Sequence, residues 1–263
     1  MDLPFIHRSD VESTNDKVMY INSIFQSLSD PFAPAFDVSH LVDTISVIVQ
    51  SKGGIGKTTT AAGVVHTMTG AGCHVALIEA DTDPPDFAIS HDMYPYVSTI
   101  EATAGHDIEE AIGVMTSTTM PVVMNTGAHT AADEQVFLPV LGEVLPALGK
   151  KVRVFIPVDT DEAAHENALR LANILGDAAI VVRNMQFGRE KDFRLFRSDF
   201  WQERKQRGLV IDMPAMVEPL RRAFRTGEPL MSLAEIEAHG DKLHRIYAHR
   251  FRQAFNVLRV FEP

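Results

Sequence analysis

Residues 50–60 of this chain read QSKGGIGKTTT, a glycine-rich segment with two lysines and four hydroxyl side chains. It follows the apolar run ISVIVQ (45–50), which predicts a strand buried on both faces of a sheet, and it opens a helix predicted over 57–69. A glycine-rich loop between a buried strand and a helix is the context that a phosphate-binding loop requires. The sequence therefore predicts a phosphate site at this turn.

The residues of the loop have the chemistry that phosphate binding needs. Gly53, Gly54 and Gly56 allow a tight turn and a close approach of backbone N–H groups to phosphate oxygens. Lys57 is placed to reach the β- and γ-phosphates, and the hydroxyl of Thr58 is placed to ligate Mg²⁺. The helix that begins there adds the positive end of its dipole.

Beyond the loop, short apolar runs alternate with helical patterns. Strands are predicted over 45–50, 73–80, 121–125, 152–158, 178–183 and 209–211, and helices over 57–69, 107–115, 134–148 and 161–175. This alternation is typical of βαβ units and a mainly parallel sheet covered on both faces. We predict a doubly wound α/β domain over residues 44–263. An N-terminal extension, 1–43, carries a short amphipathic helix that either folds back over the core or docks a partner.

The composition excludes several classes of protein. With 45% hydrophobic and 22% charged residues, the chain has the apolar material of a folded core, which excludes disorder. The single cysteine, Cys73, excludes a disulfide framework, an iron–sulfur cluster and a cysteine-rich zinc site. No run approaches the roughly 18 apolar residues of a membrane span, and no signal peptide is recognisable, so we expect a cytoplasmic protein.

The loop reads KGGIGKT over residues 52–58 and departs from the usual pattern G-x-x-x-x-G-K-[ST]. Ser51 stands at the place of the first glycine, and a second lysine, Lys52, follows it. In these residues the sequence resembles the MinD/ParA-type ATPases. The resemblance implies a P-loop fold, ATP and Mg²⁺ as ligands, and an ATP-dependent homodimer in which Lys52 reaches the partner's nucleotide. It extends over roughly residues 44–235.

Two acidic residues after the second predicted strand strengthen the resemblance. DTDPPDF (81–87) is similar to the family's D-x-D-P segment. The resemblance implies that Asp83 orients the attacking water and that Asp81 acts on the Mg²⁺ shell. The chemistry agrees, because phosphoryl transfer consists mostly of positioning and charge compensation beside the γ-phosphate.

One position departs from the family pattern. VVMNTGA (122–128) stands where the family has an apolar-apolar-Asp-x-Gly segment, so that Gly127 is implied as a backbone donor to the γ-phosphate. Asn125 stands at the position of the acid, and an amide lacks the charge that attracts metal-bound water. The sequence leaves two alternatives open. One is a slowly hydrolysing ATPase, and the other is a module that binds ATP and dimerises without appreciable hydrolysis.

Two weaker matches complete the implied site. Asn184 stands where the family reads the adenine edge, with a helix cap or turn as the alternative, and Pro214 in the segment 211–230 is implied near the base. The implied catalytic residues are Lys52, Lys57 and Asp83. The implied nucleotide contacts are Gly53, Gly54, Ile55, Gly56, Lys57, Thr58, Thr59, Gly127, Asn184 and Pro214. The implied Mg²⁺ ligands are Thr58, Asp81 and Asn125, the last two through water.

Within the family, residues 122–148 and 181–190 resemble TraL- or MobD-type conjugal-transfer proteins and StbB-like partition proteins. The resemblance implies a bacterial, plasmid-linked switch in conjugal transfer or DNA partition. A small-molecule ligase or kinase of the same superfamily, such as a dethiobiotin-synthetase-like enzyme, is disfavoured because Lys52 is present.

Two basic segments are candidate partner surfaces, although the net charge of −11 disfavours nucleic acid for the chain as a whole. Residues 183–207 interleave basic and aromatic side chains, which indicates either contact with DNA or a DNA-binding adaptor, or a helix whose aromatic residues face the core. Residues 241–261 form a basic amphipathic pattern that either packs on the sheet or contacts a membrane or DNA.

Overall fold

A computed structural model describes residues 41–70, 73–80, 97–101, 107–127, 137–216, 250 and 253–255. In this part of the chain seven strands form one sheet: β1 (Thr44–Ile48), β2 (Val75–Ala80), β3 (Val97–Glu101), β4 (Val122–Thr126), β5 (Lys151–Val158), β6 (Ala179–Asn184) and β7 (Val210–Met213). Their order is β3-β2-β4-β1-β5-β6-β7, and each described pairing is parallel. The predicted α/β fold with a parallel sheet is confirmed.

Helical segments connect these strands. The described helices are α1 (Lys57–Gly70), α2 (Asp107–Ser117), α3 (Leu145–Ala147), α4 (Glu162–Leu175) and α5 (Asp199–Gln206). A π-helical turn, Val140–Val144, precedes α3, so the segment predicted as one helix over 134–148 is not uniformly α-helical where it is described. Short 3₁₀ turns occupy Gly176–Ala178, Glu190–Asp192 and Arg194–Arg197.

The sheet buries apolar side chains on both faces. Alternate residues of each strand point to opposite faces, so Ile45 and Val47 lie in one cluster whereas Ile48 lies in the other. The face of Ile48 is covered by α1, and the face of Ile45 is covered by α2, α4 and the π-helical turn. Burial on both faces explains why these strands have continuous apolar runs in the sequence.

One strand, β3, was not predicted from the sequence. It lies at the edge of the sheet, paired only with β2 among the described strands, and its sequence VSTIE has two apolar residues, Val97 and Ile100, separated by two polar ones. An edge strand does not need the continuous apolar run that marks the central strands, and five residues of this composition are a weak signal.

Several predictions lie outside the described residues. These are the helix of the N-terminal extension, the segment of Asp81 and Asp83, and nearly all of residues 241–261. Among the described residues, no helix has the length and hydrophobicity to cross a membrane. Phe255, in the last described segment, is buried in the cluster that α1 covers, so this part of the C-terminal pattern packs on the sheet.

Candidate nucleotide-binding site

The loop between β1 and α1 has the backbone of a phosphate cradle. Its Gly54 has φ +69° and its Gly56 has φ +103°, in the left-handed region that glycine adopts without strain. A Cβ atom on Gly56 would lie 2.4 Å from Nδ2 of Asn184. The first helical hydrogen bond of α1 runs from the Thr60 N–H to the Gly56 carbonyl at 2.9 Å. The glycine spacing in the sequence is therefore a requirement of this turn.

Lys57 begins α1, and its side chain is buried. Its Nζ donates to the carbonyl of Lys52 at 3.3 Å, so the ammonium group folds back across the loop. The N-terminus of α1 faces the same loop, and the first N–H groups and the dipole of a helix attract anions. Thr58 follows at the next helical position, half-buried, with a hydroxyl available as a metal ligand.

Gln50, which the sequence analysis did not single out, anchors the start of the loop. Its Nε2 donates to the Pro157 carbonyl at 3.3 Å, and its Oε1 accepts from the Ser51 N–H at 2.9 Å and from Nδ2 of Asn167 at 2.6 Å. The side chain thus ties the loop to β5 and α4. Its position directly after a buried strand and before the glycines is the signal that would have indicated this role.

Lys52 is bound to two carboxylates of its own chain. Its Nζ lies 2.6 Å from Asp159 and 2.8 Å from Asp161, in the turn between β5 and α4. The hydrogen bond to Asp159, followed by that to Asp161, raises the pKa of Lys52. The same contact with Lys52, assisted by the Ala163 N–H, lowers the pKa of Asp161. The contact of Lys52 with a partner's nucleotide stays a prediction.

Hydrogen bonds from α4 and within the turn hold Asp159 and Asp161 in place. His165 of α4 is buried, and its Nε2 lies 2.6 Å from the backbone carbonyl oxygen of Asp159. The side-chain Oδ1 of Asp159 accepts a hydrogen bond from the Asp161 N–H. Burial lowers the pKa of His165, so the neutral imidazole is favoured. The two aspartates were missed in the sequence because VDTDE resembles an ordinary helix start, although carboxylates directly after a parallel strand are a usable signal.

Asn184 lies against the phosphate loop, at the end of β6. Its Nδ2 donates to the Ile55 carbonyl at 3.0 Å, and its Oδ1 accepts the Gln186 N–H at 3.0 Å. The amide therefore supports the loop and closes a turn, and each of its polar atoms retains capacity for a second bond. Adenine recognition by Asn184 stays a prediction. Pro214, just after β7, lines an open cavity of about 500 Å³ with Met185 and Asp212.

The position of the missing acid is buried at the end of β4. Asn125 is 1% exposed, and its Nδ2 donates to Oε1 of Glu79 in β2 at 2.9 Å. Within the described part of the chain, Oδ1 of Asn125 has no hydrogen-bond partner. Gly127 follows β4 directly and is half-buried. Glu79 was missed because it lies inside the apolar run 73–80, where a buried acid is itself the signal.

The residues of this edge fit a hydrated Mg²⁺ ion. The described residues contain no group of three or more His, Cys, Asp or Glu side chains that would hold a metal by themselves. Mg²⁺ usually retains several waters and is held by substrate phosphates with one or two carboxylates, and at a phosphate loop by the Ser/Thr hydroxyl. The Thr58 hydroxyl is such a ligand, and Oδ1 of Asn125, which has no partner among the described residues, is an acceptor for a metal-bound water. Asp81 lies outside the described residues.

The basic-aromatic segment 183–207 divides into a buried and an exposed part. Phe193, Phe196 and Trp201 are buried, as the alternative of core-facing aromatic residues requires. Arg183 is also buried, where Asp212 holds its guanidinium and the rings of Phe193 and Phe196 lie 5.7 and 5.5 Å away. Phe187 and Phe200 are exposed.

Comparison with known proteins relates this part of the chain to a family of nucleotide-binding domains. Residues 46–172 match the model of the family described as CobQ/CobB/MinD/ParA nucleotide binding domain. The fold is of the MinD/ParA P-loop type. The matched segment contains the phosphate loop, the acids after β2, Asn125 and the pair Asp159 and Asp161. The chain is thus similar, over residues 46–172, to nucleotide-binding domains of the CobQ/CobB/MinD/ParA family.

Solved structures with distant similarity include a nucleotide-binding protein from Archaeoglobus fulgidus in complex with ADP. It is 15% identical, the match covers 71% of this chain and 88% of that chain, and the TM-score is 0.46. The protein FtsY from Mycoplasma mycoides is 13% identical over 94% of this chain and 79% of its own, with a TM-score of 0.49. No curated protein sequence matches this chain significantly.

Proposed function

We propose that this protein is an ATP-binding switch that dimerises on Mg²⁺-ATP and hydrolyses it slowly. The observation that carries the proposal is the phosphate loop, in which two left-handed glycines, a buried Lys57 and the N-terminus of α1 converge. A cradle of N–H groups with an ammonium group is suited to the phosphates of a nucleotide. The family match over residues 46–172 supports the same ligand class.

In hydrolysis, some residues of the site would compensate charge and others would position the reacting groups. Lys57 and the α1 N-terminus would hold the β- and γ-phosphates and stabilise the charge that develops on them. Mg²⁺, when bound through Thr58, would compensate the negative charge of the phosphate oxygens. Asp83 would hold the attacking water in line with the γ-phosphate. The N–H of Gly127 would donate to the γ-phosphate.

Lys52 would couple the nucleotide to dimerisation. In the single chain it is bound to Asp159 and Asp161, so reaching a partner's nucleotide requires that both contacts break. The side chains of Lys52 and Asp161 are 40% and 49% exposed, and such an exposed ion pair contributes little, about 0–1 kcal/mol, whereas Asp159 is 11% exposed and its pair with Lys52 is partly shielded from solvent. The phosphates of a bound ATP would compete successfully for the ammonium group. ATP binding would thereby release the lysine and favour the dimer.

The wider role that we propose is a cytoplasmic, plasmid-linked switch in bacterial conjugal transfer or DNA partition. The resemblance of the segments 122–148 and 181–190 to proteins of that kind supports it. DNA, or a DNA-binding adaptor, would contact the exposed part of residues 183–207. The 241–261 segment is the candidate for a membrane contact, in second place because Phe255 is buried.

The second candidate function is a binding module that dimerises on ATP without turnover. Asn125 favours it, because a buried amide stands where the family has the acid. Release of phosphate from Mg²⁺-ATP by wild type, Asn125→Asp and Asp83→Ala, each with and without DNA, separates the two. Turnover by wild type that Asp83→Ala abolishes supports the slow ATPase, and stimulation by DNA supports the partition role. No turnover by wild type, with a gain in Asn125→Asp, supports the binding module.

A further inference from the structure

Glu79 and Asn125 form a buried pair at the carboxyl edge of the sheet. They lie at matched positions of the parallel neighbours β2 and β4, and each side chain is 1% exposed. Leu77 and Val123, two residues earlier in each strand, belong to the apolar cluster that α1 covers. Because side chains alternate along a strand, Glu79 and Asn125 lie on this same face, which carries the helix of Lys57 and Thr58.

The hydrogen bond within the pair fixes the direction of the amide. Nδ2 of Asn125 donates to Oε1 of Glu79 at 2.9 Å. With an ionised Glu79 carboxylate, the opposite amide orientation would place an oxygen against a carboxylate oxygen, without a proton between them. Glu79 therefore turns Oδ1 of Asn125 away from itself, and among the described residues that oxygen accepts no hydrogen bond.

A buried acceptor without a partner is unfavourable unless a ligand satisfies it. The oxygen stands at the position where the MinD/ParA pattern has a carboxylate, directly before Thr126 and Gly127. A water molecule on Mg²⁺ is a strong donor, because the metal withdraws electron density from it. An amide oxygen can accept that hydrogen bond, and what it lacks is the negative charge.

We propose that Glu79 and Asn125 together replace the single acid. Asn125 Oδ1 accepts the hydrogen bond from a Mg²⁺-bound water, and Glu79 orients the amide and supplies the charge from one hydrogen bond further away. Glu79 is thus a positioning residue for the metal, acting through Asn125. This inference rests on the proposed function, since the Mg²⁺ concerned is the one bound with the nucleotide.

A charge exchange tests the proposal without any step of hydrolysis. Binding of ADP is measured by calorimetry over a range of Mg²⁺ concentrations and in EDTA. The four proteins are wild type, Glu79→Gln, Asn125→Asp and the double variant Glu79→Gln/Asn125→Asp. The double variant keeps one acid, one amide and one hydrogen bond between them, with the acid moved to β4.

We expect Glu79→Gln to weaken the affinity of Mg²⁺ for the ADP complex about 10- to 100-fold, as loss of supporting residues around a metal typically does. The double variant should restore it to within a few-fold of wild type. Affinity for ADP in EDTA should be equal in all four proteins, because the phosphate loop is unchanged. A purely structural role for Glu79 would not be rescued by moving the charge.

Two further variants keep the test decisive. Asp43→Asn removes a carboxylate at the opposite edge of the sheet and should leave the Mg²⁺ dependence unchanged. Asn125→Leu, which removes the accepting oxygen and retains Glu79, should lose the Mg²⁺ affinity to the same extent as Glu79→Gln. It serves also if Glu79→Gln does not fold, which thermal unfolding without ligand would detect.

The outcomes separate this inference from the function on which it rests. If Mg²⁺ strengthens ADP binding by wild type and by Glu79→Gln and Asn125→Leu to the same extent, the role of the pair is overturned and the proposed function is not. A loss in Glu79→Gln that the double variant fails to restore also overturns it. If wild type binds no ADP with or without Mg²⁺, the proposed function is overturned, and the inference with it.

Discussion

The two edges of the sheet both bury a lysine, and the two lysines have different surroundings. At the amino edge, Nζ of Lys150 donates to Oδ1 of Asp43 at 2.6 Å and to the Thr118 carbonyl at 2.5 Å. At the carboxyl edge, Lys57 folds over a glycine loop, and the nearby Oδ1 of Asn125 has no partner in the described part of the chain. Polar groups at the amino edge complete the fold, whereas those at the carboxyl edge are arranged for a ligand.

Replacing the two buried lysines should affect different properties: Lys57→Met should weaken nucleotide binding, and Lys150→Met should lower stability. Lys57→Met should weaken ADP binding about 10- to 100-fold, because a charged hydrogen bond is worth about 1.5–3 kcal/mol, and should change stability less. Lys150→Met should leave ADP binding unchanged but cost about 1–3 kcal/mol of unfolding free energy, since it leaves the Thr118 carbonyl without its donor. Calorimetry and urea unfolding measure the two properties. If Lys57→Met and Lys150→Met lost ADP affinity and unfolding free energy to the same extent, the two edges of the sheet would not have different roles.

A second test replaces glycines within the carboxyl edge. Gly56→Ala places a methyl group 2.4 Å from Asn184 at φ +103°, so we expect a loss of roughly 1–3 kcal/mol of stability and weaker nucleotide binding. Gly53→Ala is the matched control, because no atom lies within 4 Å of the added methyl group. Thermal unfolding of the two variants checks the prediction. A Gly56→Ala protein as stable as Gly53→Ala would show that this loop does not hold the described conformation.

The third test concerns the exposed lysine of the loop. Lys52→Ala should lower monomer stability by on the order of 1 kcal/mol, because Lys52 and Asp161 are half-exposed and only Asp159 is largely buried. It should abolish ATP-dependent dimerisation, measured by sedimentation with Asp83→Ala present to suppress turnover. Lys191→Ala, at an exposed site on the 3₁₀ turn Glu190–Asp192, is the control and should dimerise normally. Normal dimerisation of Lys52→Ala would contradict the role in a partner's site.

The smallest effect is on pH dependence. Burial lowers the pKa of His165, so the unfolded chain takes up a proton near pH 6.5 that the folded chain resists. Stability should therefore fall as the pH decreases through about 6.5, and His165→Gln should reduce the decrease in melting temperature between pH 7.5 and 5.5. The pKa values of Asp161 and Glu190 are also lowered, so these carboxylates stabilise the fold until the pH falls into a more acidic range, where they become protonated. An unchanged difference in His165→Gln would contradict this assignment.

The sequence predicted the parts of the molecule that depend on local pattern. The central strands have continuous apolar runs because both faces are buried, and the glycines of the loop have a spacing that the turn requires. The edge strand β3 has neither feature. The sequence does not decide whether Phe193, Phe196 and Trp201 are buried or exposed, because a pattern of basic and aromatic residues is compatible with a core and with a nucleic-acid surface.

The contacts that depend on the meeting of distant strands were not predicted. Asn125 was recognised as a departure, but its partner Glu79 lies 46 residues away and meets it only through the register of β2 and β4. The same holds for Lys52 and Asp159, which are 107 residues apart. A single sequence contains the chemistry of each side chain but not the sheet order that pairs them.

A nucleotide site at the carboxyl edge of the sheet is tested by calorimetric titration of ADP into the full chain and into Lys57→Met, each with Mg²⁺ and with EDTA. We predict saturable binding by the wild-type chain that Mg²⁺ strengthens, and a loss of about 10-fold or more in Lys57→Met. Absence of binding by the folded wild-type chain in both conditions, or the same affinity in Lys57→Met, would contradict a nucleotide site at the carboxyl edge of this sheet.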